Sequence, residues 1–103
     1  MLSSVPYWQA GSRDLRGHNL RQAAMAVLVL AGRPLTVAEV LTGIEVRGWR
    51  VLGSDPRKAL ADALAYEHGR GRVARVSRGT YRAGRLARTT EWRVMTRYGR
   101  GAA

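Results

Sequence analysis

The residues best able to bind a ligand in this chain are arginines, five of which stand close together. They lie between positions 70 and 82: Arg70, Arg72, Arg75, Arg78 and Arg82. No Asp or Glu occurs from position 68 to 90 to neutralise them. A guanidinium group offers several N–H donors to phosphate oxygens, so this uncompensated run predicts contact with a polyanion. The alternative interpretation is a merely soluble surface hairpin.

The charge of the whole chain supports a polyanionic partner. Eighteen basic residues stand against seven acidic ones, giving a net charge of +11 in 103 residues. All the basic residues except Lys58 are arginine, as the codon bias of a GC-rich genome would produce, but that bias does not explain the shortage of acids. Such an excess of positive charge attracts phosphate backbones. Nucleic acid is therefore the expected partner, with ribosomal RNA and acidic proteins as the alternatives.

Residues for catalysis are missing from the sequence. There is no Cys, the two histidines lie 50 positions apart, and no Walker-type glycine-rich loop is present. Gly69-Arg70-Gly71 is a turn signal, and His18 and His68 are interpreted as helix-end residues. We therefore expect no catalytic residue, no metal site and no cofactor.

The amino-terminal sequence predicts a cytoplasmic protein. Residues 1–20 lack a basic segment followed by a long apolar stretch, so no signal peptide is expected. The longest apolar run, from Ala23 to Ala31, is too short to span a membrane, and no membrane partner is expected. The chain is divided into an irregular arm over 1–12 that contains Tyr7 and Trp8, a domain over 13–84, and a basic extension over 85–103 that is able to form a helix.

Apolar spacing predicts two helices in the first half of the chain. The first starts at Arg13 or Asp14 and ends at Gly32, because apolar residues recur at helical intervals from Leu20 to Ala31. The second has the capping-box pair Thr36 and Glu39 at its start and Gly48 at its end.

The second half predicts a third helix, a hairpin and a last helix. Ser54-Asp55-Pro56 is a typical helix start, and the third helix ends at Gly69 or Gly71. The stretch from Trp49 to Gly53 is a connection that can be extended. Two β-type runs flank Ser77-Arg78-Gly79, with Val73, Val76 and Tyr81 as anchors. Thr90 would cap a last helix whose Trp92, Met95 and Tyr98 share a face. The predicted class is mainly α with a small β-hairpin (α+β): a winged helix–turn–helix of three core helices and a wing.

Three segments resemble the HARE-HTH family of winged helices, over about residues 18–83. They are AMAVLVLAGRPLTVAEVLTGIEVRGW, SDPRKALADAL and RVARVSRGTYRA, the last with an Arg-Gly-x-Tyr corner at Arg78 to Tyr81. One departure is that Val73 and Ala74 occupy positions where relatives often have an aromatic residue. Trp49, Trp92 or the Tyr7–Trp8 pair would fill the space. The family is thought to act mainly through DNA, although one branch works at RNA polymerase.

The resemblance implies that the third helix enters the major groove and the wing contacts the backbone or minor groove. Arg57 and Lys58 lie in the first turn of that helix, where Arg57 is the better candidate for reading a base. Asp62 can orient Lys58 or Arg57, or accept from cytosine. Arg78, at the wing tip, is the candidate for the minor groove. The complete set of expected DNA contacts is Arg50, Ser54, Arg57, Lys58, Asp62, Arg70, Arg72, Arg75, Arg78 and Arg82.

Two functions are expected from these observations. The first is binding of double-stranded DNA by a bacterial transcriptional regulator or nucleoid-associated protein. The second is an adaptor that contacts RNA polymerase or another DNA-bound protein. Structured RNA is a third candidate partner, and a homodimer formed through the Trp92/Met95/Tyr98 face is left open.

Overall fold

The computed structural model describes residues 13–99, and in that part of the chain four helices surround one core. The helices are α1 (Gly17–Ala31), α2 (Val37–Val46), α3 (Pro56–Gly69) and α4 (Arg88–Tyr98). Every residue from Gln22 to Leu28 in α1 is buried. A helix that is buried all round must lie in the centre of the structure. The other three helices and one strand of the wing all contact α1.

Five short strands form two small sheets within residues 13–99. They are β1 (Asp14–Leu15), β2 (Leu35–Thr36), β3 (Arg50–Val51), β4 (Val73–Ser77) and β5 (Thr80–Ala83). The first sheet is the parallel pair β1–β3, and the second is antiparallel with the order β2-β5-β4. The hairpin β4–β5 is the wing. The order of helices and strands confirms the predicted class, a winged helix–turn–helix with a small antiparallel sheet.

Local signals determine where the helices begin and end. The hydroxyl of Thr36 accepts from the backbone N–H of Glu39 at 3.1 Å, and Glu39 Oε1 accepts from that of Thr36 at 2.8 Å, which completes the predicted capping box. At the start of α3, Asp55 Oδ1 accepts from the backbone N–H of Lys58 at 3.1 Å. Gly32 closes α1 in the left-handed conformation, with φ 64°. These boundaries agree with the sequence expectation.

The predicted start of the first helix was wrong. Helix α1 begins at Gly17, because the residues before it are extended and pair with β3. The backbone N–H of Arg50 donates to the carbonyl of Arg13 at 2.8 Å, and Leu52 donates to Leu15 at 3.0 Å. The connection after α2, predicted to be able to extend, does form this strand.

One predicted anchor of the wing was also wrong. Val73 and Tyr81 are buried as expected, but Val76 is 46% exposed. Side chains three positions apart in a strand point to opposite faces, so Val73 and Val76 cannot share one face of a regular strand. The pairing between β4 and β5 shifts register between Arg75 and Ser77, around Val76.

Helix α4 differs from expectation at its start and in its buried face. It begins at Arg88 after Ala87, which forms no side-chain cap, so Thr90 is not the N-cap. Val94 and Tyr98 face the core, Met95 is half-buried, and Trp92 is 70% exposed. The Met95/Tyr98 side therefore packs within this chain and is not free as a subunit interface.

Trp49 is partly buried against the core, unlike the exposed Trp92. Its ring centroid lies 5.2 Å from that of Tyr98 in an edge-to-face arrangement. The hydroxyl of Tyr98 donates to Asn19 Oδ1 at 3.0 Å, which ties the end of α4 to the start of α1. Tyr7 and Trp8, the pair also considered for filling the core, lie outside the described residues.

Candidate nucleic-acid interface

The first turn of α3 presents Arg57 and Lys58 to solvent. Asp55 caps the helix and Pro56 is its first residue. Arg57 and Lys58 are therefore its second and third residues, and both side chains are exposed. Ser54, the other predicted contact in this region, is exposed just before the cap. The structure thus places the predicted residues of the third helix together on one accessible surface.

Acidic groups balance much of the positive charge on α3. Lys58 Nζ lies 3.1 Å from Asp62 Oδ2, one helical turn later, and both side chains are exposed. Asp62 therefore orients Lys58, one of the two roles considered for it. Asp55 adds a second negative charge at the same end of the helix. Arg57 is left as the basic side chain on this face without an ion pair among the described residues.

The wing carries positive charge that no acid neutralises. Four of the predicted arginines are exposed, and none has an ion pair in the part of the chain that the structure describes: Arg70, Arg75, Arg78 and Arg82. Arg70 follows the end of α3, and Arg78 occupies the turn between β4 and β5. The wing and its flank therefore carry more unpaired positive charge than α3 does.

Arg72 does not belong with these free arginines. Its Nε donates to Glu67 Oε1, and its Nη2 donates to Glu67 Oε2 at 3.2 Å. Arg21 Nε lies 3.1 Å from the same carboxylate, and the guanidinium of Arg21 lies 4.3 Å from the ring centroid of Tyr66. The hydrogen bond with Glu67 raises the pKa of Arg72, which keeps that guanidinium charged. Glu67 offsets the charge of Arg72, so the phosphate contact expected of Arg72 stays a prediction and is weaker than that of the four free arginines.

Arg50 is also held by an acidic partner. Its Nε and Nη2 lie 2.8 Å and 2.7 Å from Asp14 Oδ1, across the β1–β3 pair. Most of the Arg50 side chain remains exposed. Asp14 nevertheless offsets its charge, so Arg50 is a weaker candidate for a phosphate contact than the free arginines of the wing.

The tip of the wing is fastened to the start of α2. The carbonyl of Gly79 accepts from the backbone N–H of Val37 at 3.1 Å. Next to this contact, β2 pairs with β5, with Leu35 opposite Tyr81 and Thr36 opposite Thr80. Gly79 has φ 73°, a conformation that glycine adopts without strain. The wing is therefore short and fixed, and Arg78 stands close to the helix–turn–helix.

Two features of this region, strand β2 and the buried Glu67, were not predicted from the sequence. Strand β2 has only two residues, too few to show an alternating pattern. Glu67 carries a clearer signal, because it lies three and seven positions after Leu64 and Leu60 on the apolar stripe of α3. An acid at such a position is expected to be buried and to need cationic partners.

Residues 13–99 contain neither a metal-binding cluster nor a membrane span, but they do form an open groove. No group of three or more metal-ligating side chains occurs there, and no helix there is long and apolar enough to cross a membrane. An open groove of about 460 Å³ lies between α1 and α2. Its apolar lining includes Val27, Leu30, Leu35 and Ala38, and the charged side chains of Arg33, Glu39 and Arg47 also line it.

The fold and the basic wing define a winged helix–turn–helix domain of the DNA-binding class. Residues 19–85 match the model of HARE-HTH, the helix–turn–helix domain named for ASXL proteins and restriction endonucleases among others. Since the match covers more than half of the chain, the protein belongs to this family of DNA-binding domains, which are not typically enzymes. No match was found among the curated proteins or the solved structures.

Proposed function

We propose that this protein binds double-stranded DNA mainly through its wing, with α3 in the major groove. The observation that carries the proposal is the set of four exposed arginines on and beside the wing that have no acidic partner. Each of them can neutralise a phosphate and release counterions, which adds affinity without reading sequence. The acids on α3 limit its contribution to Arg57 and the adjacent Lys58.

The tethered tip favours one mode of wing contact. Arg78 lies in a turn held against α2, so it adds to the contact surface of the helix–turn–helix and does not extend far beyond it. This position suits a phosphate contact beside the major groove better than deep insertion into a minor groove. The expected complex is therefore held mostly by the DNA backbone and is of modest sequence selectivity.

A protein of this kind would act as a transcriptional regulator or a nucleoid-associated protein in the bacterial cytoplasm. Low selectivity and strong charge favour coverage of many sites, whereas a role at one promoter would require that Arg57 and its neighbours read a particular sequence. Sequences selected from a random pool of duplexes would distinguish the two roles, because only a regulator would enrich one motif.

Mobility-shift titrations of a duplex at two salt concentrations test the DNA-binding proposal. Arg78→Ala and Arg82→Ala should each lower affinity and reduce the slope of log affinity against log salt by about 0.9, the value for one phosphate contact. Arg50→Ala is the matched control, since it removes the same charge from a side chain that Asp14 already partners. It should have a smaller effect.

The outcome of these titrations is decisive for the partner. If the protein fails to shift duplex DNA even at low salt, the proposal is wrong. Preference for an RNA duplex of the same sequence would point instead to structured RNA. Equal losses in Arg50→Ala and Arg78→Ala would show that only total charge matters and that the wing has no special part.

The groove between α1 and α2 favours a second candidate function, that of an adaptor. Its lining is largely apolar, and Leu30 at its edge is 43% exposed. Apolar surface of this kind is suited to a helix or loop of another protein, such as RNA polymerase or a DNA-bound regulator. Leu30→Glu should abolish such a protein contact while leaving duplex binding unchanged, as a pull-down with purified polymerase would show.

A further inference from the structure

Helix α4 exposes a tryptophan on the side that faces away from the domain. Trp92 is 70% exposed, whereas Val94 and Tyr98 on the opposite side of the helix are buried. Burial of the indole would have favoured folding, so the fold leaves a large aromatic surface unused. An exposed ring of this size is suited to a contact with a partner.

The side chains around Trp92 are polar or cationic. Arg88 and Thr96 lie one turn before and after it, and Thr89 and Arg93 border it on the same exposed side. Glu91, the acid in α4, lies about 60° round the helix from the buried Val94, whereas Arg93 lies about 100° from Val94. Each of them lines a cleft against α1. The outer face of α4 (Arg88, Thr89, Trp92, Arg93, Thr96) therefore carries one aromatic ring and two positive charges.

This composition disfavours a second copy of the chain as the occupant. A stable protein interface buries about 800 Å² on each partner and has an apolar centre. The outer face of α4 offers one apolar ring, and two such faces would bring four arginines together. A nucleobase has opposite requirements, because it needs one ring surface to stack on and nearby cations for the adjoining phosphates.

We propose that the outer face of α4 is a stacking site for an unpaired base of single-stranded DNA, with Arg88 and Arg93 binding the flanking phosphates. The internal bases of a duplex are stacked on both faces and offer no free ring, so the site would act at a frayed end, a gap or an overhang. Helix α4 lies after residues 19–85, so the site falls outside the part of the chain that matches the family model. The proposal goes beyond duplex binding and rests only on nucleic acid being the partner.

The test compares a blunt duplex with the same duplex bearing a six-thymidine overhang. The wild-type protein should bind the overhang substrate more tightly than the blunt one. Trp92→Ala should remove that advantage, with a loss of at least about fivefold on the overhang substrate, the lower end of what one lost base–aromatic stack costs. Trp92→Phe should restore part of the loss. Val46→Ala, which truncates a 77% exposed apolar side chain on α2 outside this face, is the control that should change nothing.

Each result separates this proposal from the proposed duplex function. Equal affinity of the wild type for both substrates, or an equal loss on both in Trp92→Ala, would overturn the stacking site while duplex binding stands. If the protein does not bind the blunt duplex but still binds the duplex with an overhang, only the proposed duplex function is overturned. A six-uridine overhang bound as tightly as the thymidine one would extend the site to RNA. If sedimentation shows that the wild type is a dimer and that Trp92→Ala is a monomer, a second copy of the chain occupies the outer face of α4 and the stacking proposal is wrong.

Discussion

The carboxylate of Glu67 joins α3 to the wing by accepting two hydrogen bonds from Arg72. Glu67 is 1% exposed, and the Nε of Arg21 from α1 lies 3.1 Å from its second oxygen. The two guanidinium partners of this buried acid offset most of the free-energy cost of its desolvation. A substitution that removes the acid leaves those guanidinium groups partly buried without a counter-charge, which is destabilising. One side chain therefore links α3, the segment that leads into the wing, and the central helix α1.

Glu67→Gln should lower the free energy of unfolding by about 2 kcal/mol. The expected loss is smaller than the roughly 3–5 kcal/mol observed when a wholly buried charge loses its ion-pair partner. The reason is that 24% of the Arg21 side chain and 33% of the Arg72 side chain remain exposed to water. Urea denaturation measures the change. Asp62→Asn, which breaks an exposed ion pair in the same helix, is the control and should change stability by less than about 1 kcal/mol. Similar effects for both variants would contradict the special role of Glu67.

Gly79→Ala should destabilise the domain and weaken binding to duplex DNA. A residue other than glycine at φ 73° costs about 1–2 kcal/mol, and relief of that strain would pull the tip away from Val37. Gly69→Ala is the control, since an added Cβ there meets nothing within 4 Å and the position ends a helix. Thermal unfolding of both variants checks this. A Gly79→Ala protein as stable as wild type would show that the tip is not held in this conformation.

Tyr98→Phe should make stability less sensitive to alkaline pH. Burial raises the pKa of the Tyr98 hydroxyl above its ordinary value of 10.0, so the unfolded chain loses this proton at a lower pH than the folded one. The associated stability is complete below pH 10 and is lost as the pH rises through the folded-state pKa. Removal of the hydrogen bond to Asn19 also costs about 1 kcal/mol at neutral pH.

Urea midpoints at pH 8 and pH 11 provide the measurement for Tyr98. The wild type should lose more stability between the two pH values than Tyr98→Phe does. Tyr66→Phe alters an exposed ring and serves as the matched variant. If Tyr66→Phe abolishes the alkaline loss and Tyr98→Phe does not, the assignment to Tyr98 is wrong.

Arg57→Ala should relax sequence preference more than it lowers overall affinity. Arg57 is exposed in the first turn of α3 without an ion pair among residues 13–99, and one good two-pronged contact with guanine contributes about 1–3 kcal/mol of discrimination. Selection of duplexes from a random pool by wild type, Arg57→Ala and Arg78→Ala checks this. Arg78→Ala should bind all sequences more weakly and enrich the same ones as wild type. An unchanged set of enriched sequences in both variants would remove α3 as the reading element.

Local chemistry allowed much of the fold to be predicted. The capping box of Thr36 and Glu39, the Asp55-Pro56 start and the turn at Gly79 each depend on residues within a few positions of one another. Strands β1 and β2 could not be predicted in this way, because two-residue strands show no period and exist only through their partners. The exposure of Val76 follows from strand register, which apolar content alone does not determine.

The candidate site was predictable in position but not in charge balance. The exposed arginines of the wing stand where the sequence places them. Arg50 and Arg72 are neutralised by Asp14 and Glu67, and the first of these pairs joins residues 36 positions apart. The fold determines which arginines have acidic partners. A count of arginines along the sequence therefore overestimates the number that are free to bind a phosphate.

The bond between Gly79 and Val37 has a consequence for the thermodynamics of association. A hairpin that swings freely would have to be immobilised by DNA, at a cost in conformational entropy that reduces affinity. Here that ordering is completed during folding, so the wing meets DNA already in place. A surface prepared in this way is expected to associate with little rearrangement, and its selectivity can change only through the identity of side chains.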